Sequence, residues 1–238
     1  MRLLVTRPEP DAERTASNLR QRGHHVMIAP LLRIEGVAAD LGAGPWDGLV
    51  ITSANSCRAV ASHPRIAELV HRPIFTVGAH AAGAARAVGF ADVTSADGDA
   101  EELAELLTVR FKGRDRRLLY FAGEDRAADL AATLAEHGIQ MKTVVIYRAV
   151  KAPEFPPAIR AAFAAGEIDG VLYFSRRTVE SYLSCAVGAA LLDRALVPFH
   201  YCLSAQVARP LLQAGATSVS VAQRPNETSL LELVGTAR

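Results

Sequence analysis

Small hydroxyl residues, glycines and arginines recur where short apolar runs give way to helical patterns. The segments are TRPEPD (6–11), TSANS (52–56), VGAHA (77–81), AGEDRA (122–127), FSRRT (174–178) and LSAQV (203–207). Backbone N–H groups at helix starts, hydroxyl groups and arginine forks together can bind several carboxylates. The alternative is that Ser53, Asn55, Ser56 and Asp11 cap helices or occupy first turns, and both roles can coexist.

Tyr147 is a second candidate for chemistry. It closes the apolar run TVVIY (143–147) and is followed by Arg148. A phenol facing a ligand can donate a proton or a hydrogen bond. The other interpretation, an aromatic side chain that packs at a strand end, stays open.

The elements that must position these residues alternate along the chain. Apolar runs such as 3–6, 48–52, 74–77, 117–122, 143–147 and 170–174 are typical of buried parallel strands. Amphipathic stretches predict helices over 11–22, 79–88, 100–111, 126–137, 205–214 and 227–237. Several end at a glycine placed as a helix C-terminal residue, including Gly89 and Gly215. This alternation predicts a doubly wound parallel sheet whose strand-end loops line a ligand crevice.

The sequence also repeats itself. DGLVITSANSCRAV (47–60) is echoed by DGVLYFSRRTVESY (169–182). Segment 3–33 resembles 118–148, with Gly23 falling on Gly138, and segment 47–111 resembles 169–237, with Gly89 falling on Gly215. Because this period is too long for a solenoid, the repetition indicates a duplication that gives two similar α/β domains.

The connecting segments indicate how the repeats pair. The segment 112–117 is short, whereas 34–46 and 149–159 are longer and rich in Pro, Gly or Ala. We therefore predict one discontinuous domain, 1–35 plus 155–238, and a second domain, 38–148. The chain would cross between them near 34–46 and 149–159, at a single hinge with a cleft between the domains.

Composition excludes several classes of protein. The net charge is +1, so no global field attracts nucleic acid or a membrane surface, and no apolar run is long enough to span a bilayer. The three cysteines lack a CxxC spacing, which favours a reduced, cytoplasmic setting. There is no GxGxxG, GxxxxGK[ST], HExxH or GxSxG signature for a dinucleotide, P-loop, zinc or hydrolase site.

An ordered series of segments resembles the uroporphyrinogen-III synthase family. It comprises VTRP, PLLRIEG, ITSANSCRAV, VGAHAAGAARAVGF, AGEDRAADLAATLAEHG, VVIYRAV and YFSRRTVESY, and it covers essentially the whole chain. The resemblance implies two flavodoxin-like α/β domains joined by a two-stranded hinge, with the active site in the cleft. It also implies a lyase that closes hydroxymethylbilane to uroporphyrinogen III, losing water and inverting the last pyrrole ring through a spiro intermediate, without metal or organic cofactor.

The resemblance assigns roles residue by residue. Tyr147 falls on the tyrosine proposed as the acid that assists hydroxyl departure, and it is the predicted catalytic residue. The predicted substrate-binding residues are Arg7, Thr52, Ser53, Asn55, Gly78, Gly123, Arg126, Arg148, Ser175, Arg176 and Ser204.

Three positions depart from the pattern of the family: Arg176 replaces a proline, Ser204 a glycine and Ala81 a threonine. Arg176 could add a carboxylate contact, and Ala81 argues against an essential hydroxyl at its position. We expect a monomer that receives its substrate from the preceding enzyme of tetrapyrrole biosynthesis, with no nucleic-acid or membrane partner. A non-catalytic ligand-binding or regulatory module of the same fold is the alternative.

Overall fold

The computed structural model describes residues 1–112, 116–125 and 130–235. Its strands are β1 (Arg2–Val5), β2 (His25–Ile28), β3 (Leu32–Gly36), β4 (Gly48–Ile51), β5 (Ile74–Thr76), β6 (Val93–Ser95), β7 (Arg117–Gly123), β8 (Gln140–Lys151), β9 (Gly170–Tyr173), β10 (Phe199–Cys202) and β11 (Val219–Val221). Its helices are α1 (Asp11–Gln21), α2 (Ala54–Ala61), α3 (Ile66–Leu69), α4 (Ala79–Val88), α5 (Ala100–Phe111), α6 (Leu130–Ala135), α7 (Pro157–Ala164), α8 (Arg176–Gly188), α9 (Leu192–Ala195), α10 (Ala205–Gln213) and α11 (Glu227–Val234).

Two compact units share the chain. The first consists of residues 1–33 and 150–238, and the second of residues 34–149. The chain passes between the units within β3 and within β8, which are neighbours in one sheet. Backbone hydrogen bonds from Ala152 to Leu31 and from Val37 to Ile146 give these two strands an antiparallel register.

The repeated sequence segments occupy equivalent places in the two sheets. The first unit has the strand order β11-β10-β9-β1-β2, and the second has β6-β5-β4-β7-β8 followed by β3. Numbered along the chain, the strands of the first unit have the flavodoxin-like order 2-1-3-4-5. The second unit has the same spatial order when strands are matched by the repeat, with β7 and β8 in the places of β1 and β2, and β4, β5 and β6 in those of β9, β10 and β11. The predicted fold class, an α/β protein with similar doubly wound parallel sheets, is confirmed.

Strand alternation builds a core on each face of each sheet. In β1, Leu4 belongs to one buried cluster while Leu3 and Val5 belong to another. In β4, Val50 packs on one side and Leu49 and Ile51 pack on the other. Successive side chains of a strand point to opposite faces, so strands that are apolar throughout must be covered by helices on both sides.

The glycines predicted to end helices have the required conformation. Gly89 follows α4 with φ 109°, and Gly215 follows α10 with φ 94°. A side chain at such a left-handed position would clash with the backbone, so glycine is favoured there. Within the described residues, no helix combines the length and the apolar composition needed to cross a bilayer.

An aromatic cluster in the first unit encloses His200. Its ring is fully buried, with Nδ1 3.2 Å from the Tyr173 hydroxyl and Nε2 3.4 Å from the Leu196 carbonyl oxygen. A neutral ring satisfies both contacts by accepting from Tyr173 and donating to Leu196. Burial lowers the pKa of His200 from its ordinary 6.5 to about 4.

We expect this histidine to make the first unit sensitive to acid. Between pH 6.5 and 4 the unfolded chain binds a proton at His200 that the folded chain excludes, so stability falls as pH is lowered. The total loss should be about 3 kcal/mol, and urea unfolding at a series of pH values measures it. His200→Gln should flatten the profile over this range; a variant profile parallel to the wild type would contradict the assignment.

Candidate functional site

The carboxyl ends of four strands meet at one edge of the six-stranded sheet. Ile51 of β4 pairs with Thr76 of β5 and with Phe121 of β7. Gly123, two residues further along β7, pairs with Tyr147 of β8. The register therefore brings the loop after β4, the loop after β5, the end of β7 and Tyr147 to the same edge, where ligands bind in open α/β sheets.

Helix starts occupy two of these loops. Ser53 is the N-cap of α2, and its Oγ accepts a hydrogen bond of 3.1 Å from the Asn55 N–H. Gly78 is the N-cap of α4, where no side chain provides a cap. The capping interpretation thus describes Ser53 in this structure. The first turn of α4 still presents backbone donors of the kind that bind anions.

Thr52 is held by a residue that sequence reasoning missed. Its Oγ1 lies 2.8 Å from the hydroxyl of Tyr120, which is buried at 5% exposure. Tyr120 sits within the apolar run RLLYFA, so the sequence offers only a polar atom inside a strand as a signal. This hydrogen bond orients the Thr52 hydroxyl, which is half-buried at the end of β4.

Tyr147 differs from the other tyrosines of the chain. Hydrogen bonds join the hydroxyls of Tyr120 to Thr52, Tyr173 to His200 and Tyr182 to Ala195, and Tyr201 lies 4.0 Å from the Met1 sulfur. Among residues 1–112, 116–125 and 130–235, none hydrogen-bonds the Tyr147 hydroxyl. Its ring is half-buried against the apolar cluster on the α2 and α4 side of the sheet.

The equivalent edge of the five-stranded sheet carries the other serine loops. Ser175 caps α8, where its Oγ accepts from the Thr178 N–H at 3.2 Å. Ser204 caps α10 and accepts from the Val207 N–H at 3.4 Å. Tyr173 pairs with Cys202 immediately before these loops, so the two helix starts are neighbours along the edge.

Arg7 is engaged in an internal network. Its guanidinium lies 3.4 Å from Asp11 and 3.2 Å from Glu227, stacks 4.0 Å from the centre of the Phe174 ring, and is 11% exposed. Burial lowers the pKa of Arg7, and the two carboxylates oppose that effect. Direct contact of Arg7 with a substrate carboxylate would have to displace Glu227. Arg7 is therefore enclosed by contacts within the first unit and is not an open anion-binding residue.

The remaining predicted arginines lie at the surface. Arg148 pairs with Glu35 at 2.9 Å, and Arg176 pairs with Glu180 at 3.0 Å. Their side chains are 53% and 61% exposed, and ion pairs this exposed contribute little to stability. Either guanidinium can therefore exchange its partner for a ligand carboxylate at small cost. Arg126 lies outside the described residues.

Two sets of predicted residues thus come together, one on each sheet. Thr52, Ser53, Asn55, Gly78, Gly123 and Tyr147 share the edge of the six-stranded sheet, and Ser175, Arg176 and Ser204 share that of the five-stranded sheet. Hydroxyl and backbone N–H donors suit carboxylate groups, and the phenol adds a proton donor. Within the described part of the chain, no three His, Cys, Asp or Glu side chains form a group able to hold a metal ion.

Comparison with known proteins gives a family and a fold. The sequence model of the family described as uroporphyrinogen-III synthase HemD matches residues 13–232. A uroporphyrinogen-III synthetase from Helicobacter pylori superposes with a TM-score of 0.65 at 16% identity, covering 98% of both chains. A mutant uroporphyrinogen III synthase from Thermus thermophilus gives 0.57 at 17% identity, covering 98% of this chain and 97% of that one. No curated protein matches the sequence.

Proposed function

Because the chain belongs to the uroporphyrinogen-III synthase family, we propose that it converts hydroxymethylbilane to uroporphyrinogen III. The observation that supports this most directly is the family match over residues 13–232, which includes the loops after β4, β5, β9 and β10. The edge of the six-stranded sheet adds a phenol without a described hydrogen-bond partner beside hydroxyl and backbone donors.

The reaction needs a proton donor and a template. In the proposed first step the phenol of Tyr147 donates its proton to the departing hydroxyl group, which leaves as water. The electron pair of the adjacent pyrrole nitrogen displaces it, forming a conjugated cation. Attack by the substituted carbon of the last ring gives a spiro intermediate, which reopens and recloses with that ring inverted. A final proton loss restores the aromatic pyrrole and balances the proton donated at the start.

Positioning carries the rest of the catalysis in this proposal. The unassisted bilane closes without inversion, so the protein has to hold the last ring in the inverting geometry. Thr52, Ser53, Gly78, Ser175, Arg176 and Ser204 would bind acetate and propionate groups through hydroxyls, helix N-termini and a guanidinium. Asn55 lies two residues after Ser53, and Arg148 directly follows Tyr147. These two side chains complete the proposed set of substrate-binding residues.

The finer assignments belong to the same proposal. Elimination of water makes the protein a lyase of the cyclising type. We further propose that it works as a cytoplasmic monomer and takes the unstable bilane from the enzyme that makes it. A ligand-binding module of the same fold without activity is the competing hypothesis.

The deciding assay supplies hydroxymethylbilane from its own enzyme and separates uroporphyrin isomers after oxidation. We expect isomer III to dominate with the native chain and isomer I to dominate with heat-denatured chain, because unassisted closure gives no inversion. If the native chain also yields only isomer I, the proposed synthase function is wrong and the binding-module hypothesis takes its place.

A further inference from the structure

The end of β7 carries a glycine that is packed against the proposed acid. A Cβ placed on Gly123 would lie 2.7 Å from Cζ and 2.8 Å from the hydroxyl oxygen of Tyr147. Carbon atoms do not approach this closely, so a side chain at position 123 cannot coexist with the observed position of the phenol. Gly123 is buried, and its pairing partner across the sheet is Tyr147 itself.

An irregularity in β8 turns Tyr147 toward this glycine. The register passes from Ala122 opposite Val145 to Gly123 opposite Tyr147, so β8 has one extra residue at this point. Val144 and Ile146 belong to the apolar cluster on the α2 and α4 side, and regular alternation would send residue 147 to the opposite face. Tyr147 instead packs against the same cluster as Ile146, because a bulge re-aims the side chain that follows it.

The residues that directly follow β3 and β7 hold the backbone at the bulge. The Val37 N–H donates to the Ile146 carbonyl from one side, and the Glu124 N–H donates to the Tyr147 carbonyl at 2.9 Å from the other. The backbone of Tyr147 is therefore fixed, and the position of its hydroxyl depends on what its ring contacts. Gly123 lies against the hydroxyl end of that ring.

From these contacts we propose that Gly123 is a positioning residue for Tyr147, an inference that rests on the function proposed above. The absence of a side chain at residue 123 lets the phenol lie against β7 and sets where its proton is delivered. This role replaces the direct substrate contact predicted for Gly123 from the sequence. Because the atoms that would clash are the far end of a side chain, Gly123→Ala should fold and shift the phenol.

The test compares rates and stabilities in a double-mutant cycle. Gly123→Ala should lower kcat for isomer III by roughly 10- to 100-fold and leave KM within about twofold, because a displacement of the order of 1 Å is enough to misplace a proton donor. In the Tyr147→Phe background the same substitution should change kcat less than about twofold, because no proton remains to be misplaced. Gly36→Ala is the matched control, since a Cβ on Gly36 meets no atom within 4 Å.

A stability measurement keeps the test decisive if Gly123→Ala folds poorly. Any loss of Tm should shrink when Tyr147→Ala removes the ring that causes the clash. The positioning role would be overturned by equal losses of Tm in both backgrounds or by additive effects on kcat. It would also be overturned by a rise in KM without loss of kcat. Failure of the wild-type chain to make isomer III would instead overturn the proposed function, so the two failures are distinguishable.

Discussion

Replacing Tyr147 with phenylalanine is expected to lower kcat for isomer III by about 100-fold or more, with KM and Tm close to wild type. A positioned general acid contributes roughly 10² to 10⁴ in rate, and phenylalanine keeps the ring while removing the proton. The ring packs on the apolar cluster of the second unit, and no described residue hydrogen-bonds the hydroxyl. Removing that hydroxyl therefore leaves no buried partner unsatisfied, and the fold should be unaffected.

Single-turnover kinetics with freshly generated bilane measures this effect and separates chemistry from product release. Tyr201→Phe is the matched control, because the hydroxyl that it removes makes only a long hydrogen bond of 4.0 Å, to the Met1 sulfur, among the described residues. The control should keep wild-type kinetics. Wild-type kcat in Tyr147→Phe would remove this residue from the mechanism and leave catalysis to positioning by the loops.

Removing the Glu227 side chain should destabilise the first unit by about 3 kcal/mol. Its carboxylate accepts from the Thr15 hydroxyl at 2.6 Å, from Arg14 at 2.9 Å and from Arg7 at 3.2 Å, tying α11 to α1 and to the loop after β1. Glu227→Ala leaves the guanidinium of Arg7 buried with Asp11 as its remaining carboxylate contact. Breaking a buried pair from one side costs about 3–5 kcal/mol, and the partial exposure of Glu227 places this case at the low end.

Chemical unfolding monitored by circular dichroism measures the loss. Glu13→Gln is a suitable control because Glu13 lies on α1 and pairs with Arg20 at the surface, where both side chains are about half exposed. That variant should stay within roughly 0.5 kcal/mol of wild type. A loss in Glu227→Ala no larger than in the control would show that the network around Arg7 is dispensable.

The same carboxylate has a defined pH dependence. Burial disfavours its charged form, but the hydrogen bond from Thr15 and the charges of Arg7 and Arg14 outweigh burial and lower the pKa of Glu227 below 4.5. The stabilisation that the ionised Glu227 gives to the folded state is therefore present above pH 4.5 and is lost as pH falls through the lowered pKa. This window lies largely below the one in which His200 acts, so the two variants should alter different parts of the acid profile.

Much of the fold follows from local patterns. Short apolar runs predict β4, β5, β7 and β9 closely, since strands buried on both faces need apolar residues throughout. Helices α4 and α5 begin and end where periodicity and caps place them. Shorter or more polar strands, including β2, β6 and β11, carry weaker signals because they are only partly buried. Their pairing supplies the structure that their composition does not predict.

Periodicity, helix caps and glycines act over a few residues, so the sequence alone predicts the α/β class, the internal repeat and the position of the strand-end loops. The surroundings of the side chains in those loops, in contrast, depend on contacts between distant parts of the chain. Arg7 resembles an open anion-binding residue until Glu227, 220 positions away, packs beside it. Tyr147 and Gly123 have no evident relation until a bulge in β8 places the phenol on the glycine. Such contacts follow from strand order and register, which join distant residues and leave no mark in a local pattern.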